Sequence, residues 1–262
     1  MSNPRHFTSI QARKEEPEER PDIAGYIRVG EMSENGKPKT NGYFRMADTA
    51  DEYINHFEYI YGDKPTMIPV YFPTDNLDII RIHQFEWWKD KREYGYGDGV
   101  QFMVYSEPHK EKVLCEKGSP LFLTLDPKNW KEQLQIRFKI PNFPAEGFFV
   151  LKTGGAETSI PNIKKSMDFI HRSFGFIENM LFHLIVEMGK SKMPGSTRKF
   201  PVVKLRSAYT PEQIMKIQEA LVRGLLKREE ITSYLQIQDF LNEQGEKLPK
   251  AISKKKLEPK KE

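Results

Sequence analysis

The chain has 262 residues, of which 38% are hydrophobic, 12% aromatic and 30% charged, with one cysteine and a formal net charge of +4. That length and apolar share support one large or two modest domains with a real core. The lone Cys115 excludes an internal disulfide framework and a cysteine-cluster zinc site, and no apolar run reaches the roughly 18 residues of a membrane span.

The start, MSNPRHFTSIQARKEEPEER, lacks the apolar stretch of a secretory signal, which predicts a cytoplasmic protein. Its balanced charges, two prolines and few large apolar residues predict a flexible segment over 1–22. The positive charge is concentrated at the other end: Lys247 to Glu262 holds seven Lys against two Glu, which leaves the rest of the chain near neutrality. Between these ends the patterning predicts a β-rich body over 23–206, built as one unit or as halves 23–118 and 119–206. C-terminal helices over 207–246 and a basic, disordered tail over 247–262 follow.

In chain order, Ala24 to Gly30 reads as a strand and Tyr43 to Arg45 as its return. Asn35-Gly36 and Asn41-Gly42 favour a hairpin whose tip carries Lys37 and Lys39. Asp48 or Thr49 is placed to cap a helix through about Tyr61, with Tyr53, Phe57 and Ile60 on one face. Met67 to Phe72 is a short buried strand. Strict alternation over Asp78 to Trp88 places Arg81, His83, Phe85 and Trp87 on one side and Ile80, Ile82, Gln84 and Glu86 on the other. A glycine-rich turn carrying Tyr94 and Tyr96 precedes a strand from Val100 to Tyr105. A polar link from Ser106 to Gly118 then leads to strands at Leu121 to Leu125 and Leu134 to Ile140. Strands at Phe148 to Leu151, Leu181 to Glu187 and Phe200 to Leu205 surround a helix that begins near Pro161, entered through Thr153-Gly154-Gly155. Thr210-Pro211-Glu212-Gln213 is a helix start with cap, first-turn proline and capping-box glutamine. A second helix runs over Ser233 to Gln244. The sum is an α+β, β-dominated fold: a barrel- or sandwich-like body with inserted helices and a C-terminal helical hairpin.

Motifs for chemistry are absent. The six histidines have no partner at metal-ligand spacing, there is no nucleophile elbow, and the glycines around 95–99 do not open a helix after a strand as a dinucleotide fingerprint requires. The sequence therefore points to no catalytic residue, no cofactor and no metal. Two features suit nucleic acid. Glu187 to Arg206 carries Lys190, Lys192, Arg198, Lys199, Lys204 and Arg206 against one glutamate, in a Gly/Pro-rich loop fit for phosphate contacts. Arg81, Phe85, Trp87, Tyr94 and Tyr96 mix cations with aromatics as a base-stacking surface does. Lys254, Lys255 and Lys256 add a non-specific phosphate contact. Ile214, Ile217, Leu221, Leu225, Leu235 and Phe240 form apolar stripes that either pack at home or hold a protein partner.

The opening G-Y-I-R-V-G, the N-G-K-P turn, the Y-F-R return and Tyr61-Gly62-Asp63-Lys64-Pro65 stand beside Gly97-Asp98-Gly99-Val100, G-F-F-V-L-K-T-G-G, F-H-L-I-V-E and F-P-V-V-K-L. Together, over about Ala24 to Leu205, they resemble a phage-encoded family, the recombination directionality factors of large serine integrases. Some members carry a cysteine-rich insert between the halves, where this chain has only Cys115. The resemblance implies a non-enzymatic protein of phage or mobile-element DNA metabolism in a bacterial host. Such a protein binds DNA, as single strand or recombination-site duplex, or a DNA-bound serine integrase or replication protein, and modulates recombination direction or replication. The alternatives are a single-stranded DNA-binding protein of phage replication and a pure protein-interaction module acting through the C-terminal helices.

Overall fold

A computed structural model describes residues 22–32, 38–89, 92–106, 110–191 and 199–227, with positions 195, 197 and 231. The Asn35-Gly36 turn, Lys37, Lys192, Arg198, the helix expected over Ser233 to Gln244 and the Lys254 to Lys256 run lie outside the described residues, and Lys39 is described only as backbone.

Among the described residues, eleven strands form two sheets. The larger contains β1 (Ile23–Met32), β2 (Pro38–Ala47), β4 (Arg81–Lys89), β5 (Arg92–Gly97), β6 (Gln101–Ser106), β7 (Glu111–Glu116), β8 (Lys131–Phe138) and β9 (Phe148–Thr153), in the spatial order β2-β1-β9-β8-β4-β5-β6-β7. The smaller contains β3 (Met67–Tyr71), β10 (Leu181–Lys190) and β11 (Lys199–Ser207), with β10 central. Of the paired strands, only β1 and β9 run parallel. Because β9 and β8 sit between β1 and β4, the large sheet draws strands from both sides of residue 118. It ends in two edges, β2 and β7, so it is an open, sandwich-like layer and not the barrel alternative.

Period-two alternation decides which side is buried. In β8, Leu134, Ile136 and Phe138 are buried while Gln133, Gln135 and Arg137 point the other way. The apolar side, with Ile27, Phe44, Met46, Phe149 and Leu151, shares one core with Ile68, Val70, Phe182, Leu184, Val203 and Leu205 of the small sheet. Helix α4 (Ser159–Phe174) completes it with Ile160, Ile163, Met167 and Ile170 at spacings of three and four, and ends at Gly175 in the left-handed region. A second cluster of Phe102, Val104 and Cys115, with Phe85, Trp87, Phe122, Leu125 and Trp130, fills the far end of the large sheet.

Several elements differ from the sequence-based expectation, each for a local reason. Leu121 to Leu125 is not a strand: Ser119 caps Phe122 N–H and Pro120 occupies the first helical position of α3 (Pro120–Leu123), so capping outweighs a short apolar run. Asp78 to Ile80 belong to helical turn α2 (Leu77–Ile80), where the Asn76 side chain accepts from Asp78 N–H at 3.0 Å, and β4 starts only at Arg81. Tyr94 and Tyr96 lie in strand β5, and the expected polar link contains strand β7 with Cys115 buried in it. At Gly97 a Cβ would sit 2.3 Å from the Gln101 carbonyl oxygen, so that glycine admits a close strand approach and marks no turn. Helix α1 (Asp51–Tyr61) has Ala50 at its cap, because Asp48 takes a positive φ and the Thr49 hydroxyl donates to the Ala24 carbonyl. Helix α5 (Pro211–Val222) has the expected capping box, Thr210 with Gln213.

Candidate nucleic-acid interface

The structure divides the residues expected to bind nucleic acid. Arg81 is 1% exposed and His83 fully buried, while Phe85 and Trp87 are packed into the second cluster against Phe102 and Trp130. The side of β4 that carries them faces the interior, beneath α4 at one end and residues 120–130 at the other. Arg81 is therefore core and Phe85 and Trp87 are half-buried against the second cluster, so the three do not form the stacking surface expected of them. Tyr96 is buried, with the Lys112 ammonium 4.8 Å from its ring centroid, so it too offers no face to a base. Tyr94 is half-buried between Trp87 and Tyr105, with Lys89 over its ring.

The polar residues brought inside form a built group. His83 Nε2 and Glu132 Oε1 are 2.7 Å apart, and Lys164 Nζ is 3.3 Å from His83 Nδ1. The ammonium can only donate, so Nδ1 accepts and the neutral ring donates from Nε2 to the carboxylate. Burial, and then the charges of Lys164 and Arg81, hold the His83 pKa below its ordinary value against the opposing effect of Glu132. Burial likewise pulls Arg81 down to about 10. A His pKa lowered in the folded state means that the unfolded chain takes up the proton first as pH falls. Stability from this group is therefore full above roughly pH 6.5 and drains as pH drops from there through the lowered folded value. His183, lowered by burial, adds in the same direction. Urea unfolding between about pH 7 and pH 5 is expected to show declining stability, with a shallower decline in His83→Gln. An identical slope in that variant rules out His83 as a source.

In the β10–β11 hairpin, Lys190 and Lys199 are exposed register partners, a like-charge pair that an anion would relieve. Lys204 and Arg206 are instead engaged by Glu187, whose carboxyl these cations hold below its usual value. The Gly195 turn is described, and its flanking cations Lys192 and Arg198 are not. In α5, Ile214 and Ile217 are buried in the main core and Leu221 packs against it, so packing at home accounts for them. Leu225 is exposed, and Leu235 and Phe240 lie outside the described residues. The outward residues of α5 include Met215 and Val222, the latter 89% exposed, beside an open groove of about 970 Å³ lined by Phe174, Phe176 and Leu226.

The side of the large sheet that turns away from the core carries a set that the sequence alone does not assemble. Adjacent strands place Tyr43 and Arg45 (β2), Tyr26 and Arg28 (β1), Lys152 (β9), Lys131, Gln135 and Arg137 (β8), and Gln84, Glu86 and Trp88 (β4) on this one face. Arg28 and Arg45 are direct register partners. Arg28 is ion-paired with Asp48 and lies 5.6 Å from the Tyr26 ring centroid, Arg45 Nε donates to the Gly30 carbonyl at 2.8 Å, and Arg137 Nη1 donates to the Ile79 carbonyl at 2.8 Å. Trp88 is 52% exposed yet fixed: its Nε1 donates to Glu86 Oε2 at 2.7 Å and the Lys152 ammonium sits 5.2 Å from its ring centroid. Lys152 Nζ also donates to Glu86 Oε2 at 2.6 Å, and Gln84 Nε2 to Oε1 at 2.9 Å. Burial pushes the Glu86 carboxyl up, and these three hydrogen bonds more than offset it, leaving its pKa below the ordinary value. Over β2 to β4 Arg28, Arg45, Lys131, Arg137 and Lys152 thus share a face with the carboxylates of Glu86 and Asp48, an excess of positive charge, while β5 and β7 continue the face with Lys112 against Glu93 and Glu116.

The family model described as Gp3-like, recombination directionality factor-like, matches residues 24–208. The chain belongs to this family. No curated protein and no solved structure matches it. The matched span of the Gp3-like chain runs from β1 to the residue after β11, so the family's shared part is the two-sheet body with α4, and α5 lies beyond it. Membership implies recombination-related DNA or protein partners in general. Among the described residues, no helix is long and apolar enough to cross a membrane and no three His, Cys, Asp or Glu side chains gather to hold a metal ion.

The signal for the open face is present in Lys131 to Phe138, where every second residue is polar or basic and most of the intervening ones are apolar. Composition hides it, because the cations and rings of β4 crowd onto its odd-numbered positions up to Trp87, and those are the interior ones.

Proposed function

We propose that this Gp3-like protein works by binding and not by catalysis. Its open sheet face and the Lys190/Lys199 hairpin engage DNA, or a serine recombinase already on DNA, and so modulate the direction of recombination or the replication of a phage or mobile element. Beyond the family, the observation that carries this reading is the part of the face from β2 to β4, on which Arg28, Arg45, Lys131, Arg137 and Lys152 outnumber Glu86 and Asp48. Cations spread over a sheet and flanked by aromatics suit a phosphate backbone more than a small substrate. The His83 group offers no rival site, because its imidazole is sealed from solvent and both ring nitrogens are engaged within the fold. Gel-shift titration with duplex and single-stranded DNA at two salt concentrations tests the reading. Binding at low salt that weakens steeply as salt rises is expected. Absence of binding by a folded sample overturns direct DNA contact and leaves the recombinase.

A protein contact has its own support in the exposed Met215 and Val222 that line the groove beside α5. Val222→Glu is expected to abolish capture of the cognate recombinase while DNA binding stays within about twofold, since the residue is solvent-facing and lies on an element outside the basic face. Unchanged capture removes this surface from consideration.

A further inference from the structure

We propose that the open face takes single-stranded DNA in particular, with a base stacked on Trp88 and the backbone phosphates running across Lys131, Lys152, Arg137, Arg28 and Arg45. This rests on the DNA-binding reading above and specifies the form of DNA.

Trp88 itself is poised for a stacking partner. A large aromatic more than half exposed gives up burial unless something covers it, and this one is positioned: indole Nε1 is tied to Glu86, and Glu86 is itself held by Lys152 and Gln84. The ring is presented in one orientation, so a base meets it at little conformational cost. The groups around the ring suit the same ligand. Lys152 stands against the ring while paired with Glu86, and Arg137 on β8 and Arg28 on β1 lie further off, about 14 Å across the strands from β4 to β1 and, by register, about 20 Å or more along them from Trp88. Tyr26 and Tyr43 supply further rings beside Arg28 and Arg45. Alternating cations and rings over that distance match a short unpaired strand, whose phosphates need charge and whose bases need a stacking partner. Duplex DNA has its bases already stacked, so it would use the cations and leave Trp88 unused.

The test uses the full chain and a fluorescein-labelled dT oligonucleotide of about 20 nucleotides, followed by anisotropy beside a duplex of equal length. Wild type is expected to prefer the single strand. Trp88→Ala is expected to weaken it about tenfold with duplex binding nearly unchanged, and Trp88→Phe to restore most of the loss. Thermal unfolding of both variants near that of wild type keeps the comparison sound, and the exposure of Trp88 makes that the expected outcome. Wild-type preference for duplex, or equal dT affinity in Trp88→Ala, overturns the single-strand assignment and leaves the broader function standing. Failure of every DNA form to bind overturns both.

Discussion

Phe182→Ala is expected to lower the unfolding free energy by about 3–5 kcal/mol, read from urea denaturation. The Phe182 ring is fully buried, meets Phe72 edge-to-face at 5.4 Å, and belongs to the central strand of the small sheet, opposite Val70 and Ser207. Strands β3 and β11 flank the site and β2 of the large sheet meets β10, so little collapse can fill the cavity, and the cost should sit toward the upper end of that range. Leu225→Ala, at a position 65% exposed, is the matched control and should change stability by no more than about 0.5 kcal/mol. A Phe182→Ala loss below about 1 kcal/mol would mean that the small sheet does not share the core of the large one.

The second large effect is on DNA. Replacing Arg28, Arg45 and Lys131 together by Gln is expected to reduce the slope of log affinity against log salt by about two for a single strand, at roughly 0.7 for each phosphate no longer neutralised. Binding should weaken at least tenfold near about 0.1 M salt. These three are chosen because their side chains lie at the surface: Arg28 is half exposed, Lys131 exposed, and Arg45 half-buried with its Nε engaged by a carbonyl. Lys152 is left alone, since removing it would strand the buried Glu86 carboxylate and confuse a damaged fold with weakened phosphate binding. An unchanged slope would take the phosphates off this face and move them to Lys190 and Lys199.

Much of this protein is legible in local pattern. The Thr210 to Gln213 cap, the Thr153-Gly154-Gly155 entry to α4, the Gly175 stop and most strands follow from residue types within a few positions of one another, because capping bonds and backbone preference are local. The segments that pattern misplaces are those where two local signals compete, such as Ser119-Pro120 against the apolar run that follows. In others the reason for a glycine lies on a neighbouring strand, as at Gly97 against Gln101.

The sequence by itself determined the β-dominated class, the position of α4 and α5 and the family resemblance, since these rest on periodicity and on short motifs. Only the tertiary structure decided which side of β4 faces the core. Alternation separates Arg81, His83, Phe85 and Trp87 from Gln84 and Glu86 without saying which set is buried, and composition suggested the wrong one. Strand order settled it: with β8 and β9 inserted between β1 and β4, the face bearing Leu134, Ile136 and Leu151 has the apolar area that drives folding, and it carries the Arg81 side inward. The same choice turned Arg28, Arg137, Lys152 and Trp88, far apart in sequence, into one outward surface.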